Sequence, residues 1–405
     1  MSDKEIERLC IIKKIETKEI TQKEAGIELG ISERQVRRLL VGYRQKGGND
    51  GIVSRHKGGN RGFTEDFKKE VIAKVRAKYS DFRPSFASEK LEEIDGLKIN
   101  RETLRQLMIK EDLWKGKRRK KARIHQTRER RSRYGELIQI DGSHHDWFEG
   151  RSGKCCLLVF IDDATSKLMK LRFERSETTN GYFRVVKDYV KAYGIPYAFY
   201  SDKDSVFTVN APSKIDGIKG VTEFARAMKE LDIEIILAHS PQAKGRVERA
   251  NATLQDRLIK EMRLRKIDTI EAGNKYLEEF IKEHNKKFAI NDEKIVDGHR
   301  EASDNILNRL DEILSFQSTR KLSKNLEMSY KNTIYQIQRH GTGYTYRGAE
   351  IVIYENTDGE IVLKKGKEVL KYKAMDKIKN QGITADSKEI NKVVEAIIKG
   401  KNEAA

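Results

Sequence analysis

Cysteine is scarce in this chain: three residues in 405, Cys10, Cys155 and Cys156. An odd count without regular spacing argues against a disulfide framework. No Cys-x-x-Cys pair exists, which excludes a Cys/His zinc finger. Missing too is any apolar stretch near the ~20 residues that span a bilayer as a helix. The segment Met1-Ser2-Asp3-Lys4-Glu5 is charged and has no apolar region behind it, so no secretory signal is expected. A reducing cytoplasm fits these features.

Acid is in deficit. The chain has 63 Asp+Glu against 82 Lys+Arg, a formal charge of +19 and a pI near 9.5. Such a field favours a polyanionic partner. The basic residues are clustered as well as abundant, beyond what solubility needs. Apolar residues make up 37%, enough for several small cores.

The expected fold class is multidomain: helical helix-turn-helix units, an α/β ribonuclease H-like core, then a small all-β barrel. Residues 1–46 read as three short helices. Thr21-Gln22-Lys23-Glu24 is a capping box opening the second, which ends at Leu29-Gly30. Ser32-Glu33-Arg34-Gln35 caps the third, with Val36, Leu39 and Leu40 apolar and Arg34, Gln35, Arg37 and Arg38 outward. Arg and Gln are side chains that read guanine and adenine edges in the major groove, so a helix-turn-helix on double-stranded DNA is expected. The bland alternative is a small bundle with a solvated charged face. Residues 47–62 hold six glycines and read as a flexible basic linker. Residues 63–114 repeat the helical theme as a second helix-turn-helix or winged-helix unit, in which Arg101, Thr103 and Arg105 could face DNA. Residues 115–133 carry eleven Lys/Arg and one acid. This linker, with Arg118, Arg119, Lys120 and Lys121, is expected to lie along phosphates, which gives affinity without sequence information.

From Tyr134 to residue 290 the texture changes. Runs 136–141, 155–162 and 167–173 read as strands. A helix (179–193), a strand (197–202), a polar insertion (208–220), a helix (222–231), a strand (233–238) and a long helix from Gly245 to Arg265 follow. That β-β-β-α-β-α-β-α order is the ribonuclease H-like order, in which the first and fourth strands are neighbours. A helical connector (291–325), a barrel of SH3-like size (326–380) and a C-terminal tail (381–405) complete the chain.

Three acids stand out in the core. Asp141 follows Leu137-Ile138-Gln139-Ile140, Asp202 follows Ala198-Phe199-Tyr200-Ser201, and Glu248 lies just inside the long helix. Carboxylates at buried strand ends are costly without a partner, and a divalent metal is a common one. In a basic protein, metal plus carboxylates points to phosphodiester chemistry. Mg²⁺ prefers hard oxygen ligands, so Asp141 bridging two ions, with Asp202 and Glu248 each holding one, would suffice. Mn²⁺ is the expected substitute. Asp162 and Asp163 precede a turn, where Asp is common for backbone reasons. Asp204 is a secondary candidate. His144 and His145 follow Asp141 and could contact DNA or the attacking water, but a histidine near a strand end reads more readily as packed or solvated.

Gln139-Ile140-Asp141-Gly142, Tyr200-Ser201-Asp202 and Gly245-Arg246-Val247-Glu248-Arg249-Ala250-Asn251 resemble the motifs of DDE transposases and retroviral-type integrases. The stretch from Ser240 to Arg249 is especially similar to bacterial insertion-sequence transposases of the integrase-core class. The resemblance implies binding of terminal inverted repeats, cleavage that frees 3′-hydroxyls, strand transfer into target DNA, and a homo-oligomeric active species in the bacterial cytoplasm and nucleoid. Lys244, Arg246 and Arg249 would hold the phosphate backbone beside Glu248. Two departures stand out. Asp202 and Glu248 are 46 residues apart, longer than is usual for the integrase core, with the insertion at 208–220 as the extra loop. Gln255 stands where such cores often place a lysine, which leaves Arg257 and Lys260 as nearby basic candidates. Two competing readings are a non-catalytic DNA-binding regulator derived from a transposase and a stand-alone nuclease such as a junction resolvase.

Overall fold

The computed structural model describes residues 3–45, 48, 51–52, 63–116, 129–202, 206–207, 221–238, 245–338, 343–376, 392 and 394–395. The chain divides into two compact units, Met1–Arg119 and Lys120–Ala405.

The first unit opens with three helices, α1 (Asp3–Glu16), α2 (Gln22–Glu28) and α3 (Glu33–Gln45). They close on Ile11, Ile12, Ala25, Val36 and Leu40. Ile52 joins this core although it lies in the span expected as linker. Thr21 and Glu24 form the capping box of α2: the Glu24 amide donates to Thr21 Oγ1 (3.3 Å) and the Thr21 amide donates to Glu24 Oε2 (2.8 Å). Gly30 makes the turn into α3 at φ 63°, a conformation that side chains with a Cβ rarely adopt. Helices α4 (Glu65–Lys78), α5 (Pro84–Asp95) and α6 (Arg101–Lys110) follow, capped by Thr64 and Asn100 at the starts of α4 and α6. No strand pairs with them among the described residues, so nothing of a wing is described there.

The second unit is built on a five-stranded mixed sheet. Strands β1 (Leu137–His145), β2 (Cys155–Asp162) and β3 (Leu168–Glu174) run antiparallel; β4 (Ala198–Ser201) and β5 (Glu234–Leu237) join parallel, giving the order β3-β2-β1-β4-β5. This is the order expected of the ribonuclease H-like core. All eight residues of β2 are buried, because both faces of the sheet are covered. One face (Ile138, Ile140, Leu158, Phe160) packs on α7 (Thr179–Tyr193), α8 (Glu223–Glu230) and α11 (Asp304–Ile313). The other (Leu157, Val159, Ile161) packs on α9 (Gly245–Leu264) and α10 (Ile270–Phe288) through Val247, Leu254, Leu258, Tyr276 and Phe280.

His284 on α10 is buried between Phe280 and Phe288. Burial penalises its charged form and lowers its pKa to about 4. A folded-state pKa below the unfolded value stabilises the fold above about pH 6.5, and that contribution is lost as pH falls from about 6.5 to about 4. At ~1.4 kcal/mol per pKa unit the loss approaches about 3 kcal/mol at acid pH. Urea unfolding at pH 7 and pH 4.5 should show this loss in the wild type and a smaller one in His284→Gln.

The C-terminal strands depart from expectation. The span 291–325 holds α11 and then a strand, β6 (Phe316–Lys321). Strands β7 (Glu327–Tyr330), β8 (Thr333–Ile337), β9 (Glu350–Glu355), β10 (Ile361–Lys365), β11 (Glu368–Leu370) and β12 (Tyr372–Asp376) follow. They form two sheets, β11-β10-β9-β6 and β12-β8-β7, over a shared core of Leu326, Tyr335, Ile351, Ile353 and Leu363. The closed barrel expected from the sequence is therefore two open sheets among the described residues. The strands are three to six residues long, and the chain changes sheet across the single residue Lys371 between β11 and β12, so no continuous ladder runs around the core. This layer is tied to the mixed-sheet core: Arg184 on α7 donates to Thr357 O (2.6 Å) and Arg226 on α8 donates to Ser315 O (2.5 Å). The tail 381–405 is outside the described residues apart from three helical positions. No helix among the described residues is long and apolar enough to cross a membrane.

Candidate active site

Asp141 sits mid-strand, because β1 continues to His145 alongside β2. On its other side β1 loses its neighbour earlier: the β1–β4 ladder runs Leu137↔Ala198, Ile138↔Phe199, Gln139↔Tyr200. Two residues past the end of that ladder stand Asp141, still within β1, and Asp202, one residue beyond β4. Continued in register, these two positions would fall on the face that carries Gln139 and Tyr200, because parallel partners point to the same face.

That face is the one α9 covers. Three side-chain contacts rivet helix to strand. The Val247 amide donates to Gln139 Oε1 (3.2 Å), Asn251 Nδ2 donates to Asp141 Oδ2 (2.8 Å), and Gln255 Nε2 reaches Ser143 Oγ (3.4 Å). Alternate strand residues thus meet every fourth helix residue. The match is physical: two strand residues advance ~6.6 Å and four helix residues ~6 Å. Glu248 is exposed, one turn before Asn251, on neighbouring positions of the same helix. Asp141 is bonded to α9, Asp202 follows the end of β4, and Glu248 lies in the first turn of α9. The Oδ1 of Asn251, whose Nδ2 bonds Asp141, is buried with no hydrogen-bond partner among the described residues. A hard oxygen donor left over next to carboxylates fits a hydrated divalent cation of the Mg²⁺ or Mn²⁺ kind.

The first turn of α9 is held by a buried ionic cluster. Arg246 Nη1 donates to Asp163 Oδ1 (2.5 Å), Gln139 Nε2 donates to the same oxygen (2.7 Å), and the Arg131 amide donates to Asp163 Oδ2 (3.0 Å). The Asp163 side chain is fully buried and that of Arg246 is 9% exposed. Arg246 is thus turned inward, a structural strut in place of the phosphate contact expected of it. Asp162 keeps the turn role expected of it, accepting from the Gly135 amide (3.0 Å) and from the Thr165 amide (2.7 Å) and hydroxyl (2.6 Å). Burial raises its pKa, against the pull of those hydrogen bonds.

Other expected DNA contacts are placed as follows. Arg249 is exposed and bonds Gly245 O (2.8 Å). Arg257 lies over the Phe288 ring (4.8 Å), and Lys260 is buried and bonded to Asp256 (2.9 Å), so Lys260 does not present its charge outward. On α3, Arg34 and Arg38 are exposed. Arg37 is bonded to Gln22 (3.2 Å) and Glu33 (2.5 Å), pinning α3 to α2. Gln35 is a cap: its Oε1 accepts from the Ser32 amide (3.0 Å) while its own amide donates to Ser32 Oγ (3.3 Å). That engagement sets it apart from Arg34 as a base reader. On α6, Arg101 is exposed, Thr103 is half-buried, and Arg105 is held by Glu102 (2.9 and 2.7 Å). Arg118, Arg119, Lys120, Lys121, Asp204, Lys244 and the insertion 208–220 lie outside the described residues.

Sequence reasoning missed Asn251 and Glu177. The carboxylate of Glu177 lies on the opposite face of β1, over Gly142, where a Cβ would come within 2.1 Å of its Oε2. It accepts from the Tyr182 hydroxyl (2.6 Å) and approaches His144 Nε2 (3.4 Å). Beneath it, the buried Cys156 thiol is pushed up to about 12 by burial and then by the Glu177 charge. Only Gly142, which leaves the space, hints at Glu177 in the sequence.

Comparisons with known proteins bear on both units. A helix-turn-helix domain family matches residues 7–61. The chain is 42% identical over 382 residues to a putative transposase, y4bF, of Sinorhizobium fredii, covering 93% of this chain and 82% of that protein. It is 32% identical over 323 residues to the transposase for insertion sequence IS1202 of Streptococcus pneumoniae, covering 70% of this chain and 68% of that protein. Among solved structures, the HTLV-2 integrase catalytic core domain in complex with magnesium (trimeric form) aligns with a TM-score of 0.27 at 20% identity, over 36% of this chain and 84% of that one. The simian T-cell lymphotropic virus intasome in complex with a PP2A regulatory subunit aligns with a TM-score of 0.33 at 13% identity, over 70% of this chain and 94% of that one.

Proposed function

This chain belongs to the transposases of bacterial insertion sequences, and from that premise we propose that it binds the terminal inverted repeats of its own element, cuts them to free 3′-hydroxyls and joins those ends to target DNA. The observation that carries the reading is the bond from Asn251 on α9 to Asp141, with the β1–β4 ladder ending two residues before Asp141 and Asp202. Asp141 would hold two Mg²⁺ ions, with Asp202 and Glu248 holding one each. Bound there, such ions would activate the attacking oxygen and stabilise the leaving one in an in-line displacement. The protein's own contribution is positional. On this reading the strand pairing would set two carboxylates side by side, α9 would bring the third, and Asn251 holds one oxygen of Asp141. One phosphodiester replaces another, so no high-energy cofactor is needed. Two element ends must be handled together, which favours a homo-oligomer on DNA.

The test is direct. Labelled duplexes carrying the inverted repeats that flank the coding region are incubated with the protein in Mg²⁺. Cleavage at the repeat end followed by joined product supports the proposal. Specific binding without any cleavage would favour the regulator instead.

Base reading is assigned to Arg34 on the exposed side of α3. Arg34→Ala should weaken binding to the repeat by about 1–3 kcal/mol and leave binding to random DNA much less changed. Competition binding with the two duplexes measures this difference. Equal weakening on both would make Arg34 a phosphate contact.

A further inference from the structure

The far face of β1 carries a second set of metal-ligating groups, distinct in chemistry from the three carboxylates. His144, Cys156 and Glu177 each offer one ligand atom, and the three atoms lie within 4.8 Å of one another. The antiparallel register pairs His144 directly with Cys156, which sets both side chains on one face. Gly142, two residues before His144 on the same face, leaves the space into which the Glu177 carboxylate folds. Tyr182 takes Glu177 Oε1 (2.6 Å), while Oε2 is the oxygen nearer His144 Nε2 (3.4 Å). An outer group that fixes one oxygen and so aims the other is the usual support of a metal ligand.

We propose that His144, Cys156 and Glu177 form a Zn²⁺ site on the face of β1 opposite the carboxylates. The donor set selects the ion. A sulfur ligand disfavours Mg²⁺ and suits a borderline-soft cation, and imidazole and carboxylate both serve Zn²⁺. Bonds of ~2.0–2.3 Å require the three atoms to draw in slightly. The His144 side chain is 61% exposed and can pivot to do so, and it leaves the fourth position open to water. Cys156 binds as the thiolate, and its proton is released to solvent. The consequence is local: the ion would clamp the segment around Glu177 to the strand that bears Asp141.

Cobalt substitution tests the site without any DNA reaction. The full-length protein, stripped with chelator, is titrated with Co²⁺. A thiolate-to-cobalt charge-transfer band is expected to appear at one equivalent and to vanish when Zn²⁺ is added. His144→Ala, at an exposed position, should weaken Co²⁺ binding at least tenfold, and Tyr182→Phe about 10- to 100-fold as an outer-shell change. Cys156→Ser should abolish the band. Asp141→Asn should retain it, which separates this site from the proposed catalytic one. The proposal is overturned if the wild type shows no band, or if the band survives in both His144→Ala and Cys156→Ser.

Discussion

Replacing Asp141 or Asp202 by asparagine, or Glu248 by glutamine, is expected to lower cleavage of the element end by about a thousandfold or more while repeat binding stays nearly intact. Each amide is close in shape to the acid it replaces but lacks the negative charge that holds a divalent cation. The loss of several kcal/mol of transition-state stabilisation corresponds to that factor. The three carboxylates lie in the second unit, whereas the helix-turn-helix match covers residues 7–61, so binding and chemistry should separate cleanly. Gel-resolved cleavage and mobility shift on one duplex measure both. Persistent Mg²⁺-dependent cutting in any one variant would remove that residue from the catalytic set.

The second large effect concerns stability. Asp163→Ala removes the buried carboxylate to which the Arg246 guanidinium donates and takes an acceptor from Gln139. Breaking a buried pair from one side costs about 3–5 kcal/mol. Asp163→Leu combined with Arg246→Met removes both charges and should recover much of that loss. Urea denaturation of the three proteins gives the comparison. If Asp163→Ala unfolded within about 1 kcal/mol of wild type, the cluster would contribute no more than an exposed ion pair. The start of α9 is what this cluster holds, so the single variant should also blunt cleavage by displacing Glu248.

Much of the core was legible because its signals are local. The apolar runs before Asp141 and Asp202, the buried stripe Val247, Ala250, Leu254 and Leu258, and the capping residues Thr21 and Ser32 each announce an element from a few neighbouring positions. The adjacency of β1 and β4 followed from element order alone. Arg246 was misread for the opposite reason. Its partner, Asp163, is 83 residues away, and nothing in the surrounding sequence distinguishes an inward arginine from a phosphate-binding one. Gln35 carried its signal in plain view: Ser32-x-x-Gln35 is a capping box, and a side chain cannot both hold its own helix start and lie fully available to a base edge. The C-terminal strands were visible as short runs, but closure into a barrel depends on which edges pair, and pairing register is not written in runs of three to six residues.

The alternate-to-fourth matching between β1 and α9 has a mechanical corollary. Because all three contacts share one stride, the helix cannot creep along the strand by a single position without losing every one of them together. Its allowed settings are separated by whole turns. On the proposed reading Glu248 would be indexed like a tooth on a gear, so that a slip of the helix would carry the third carboxylate a full step rather than let it drift.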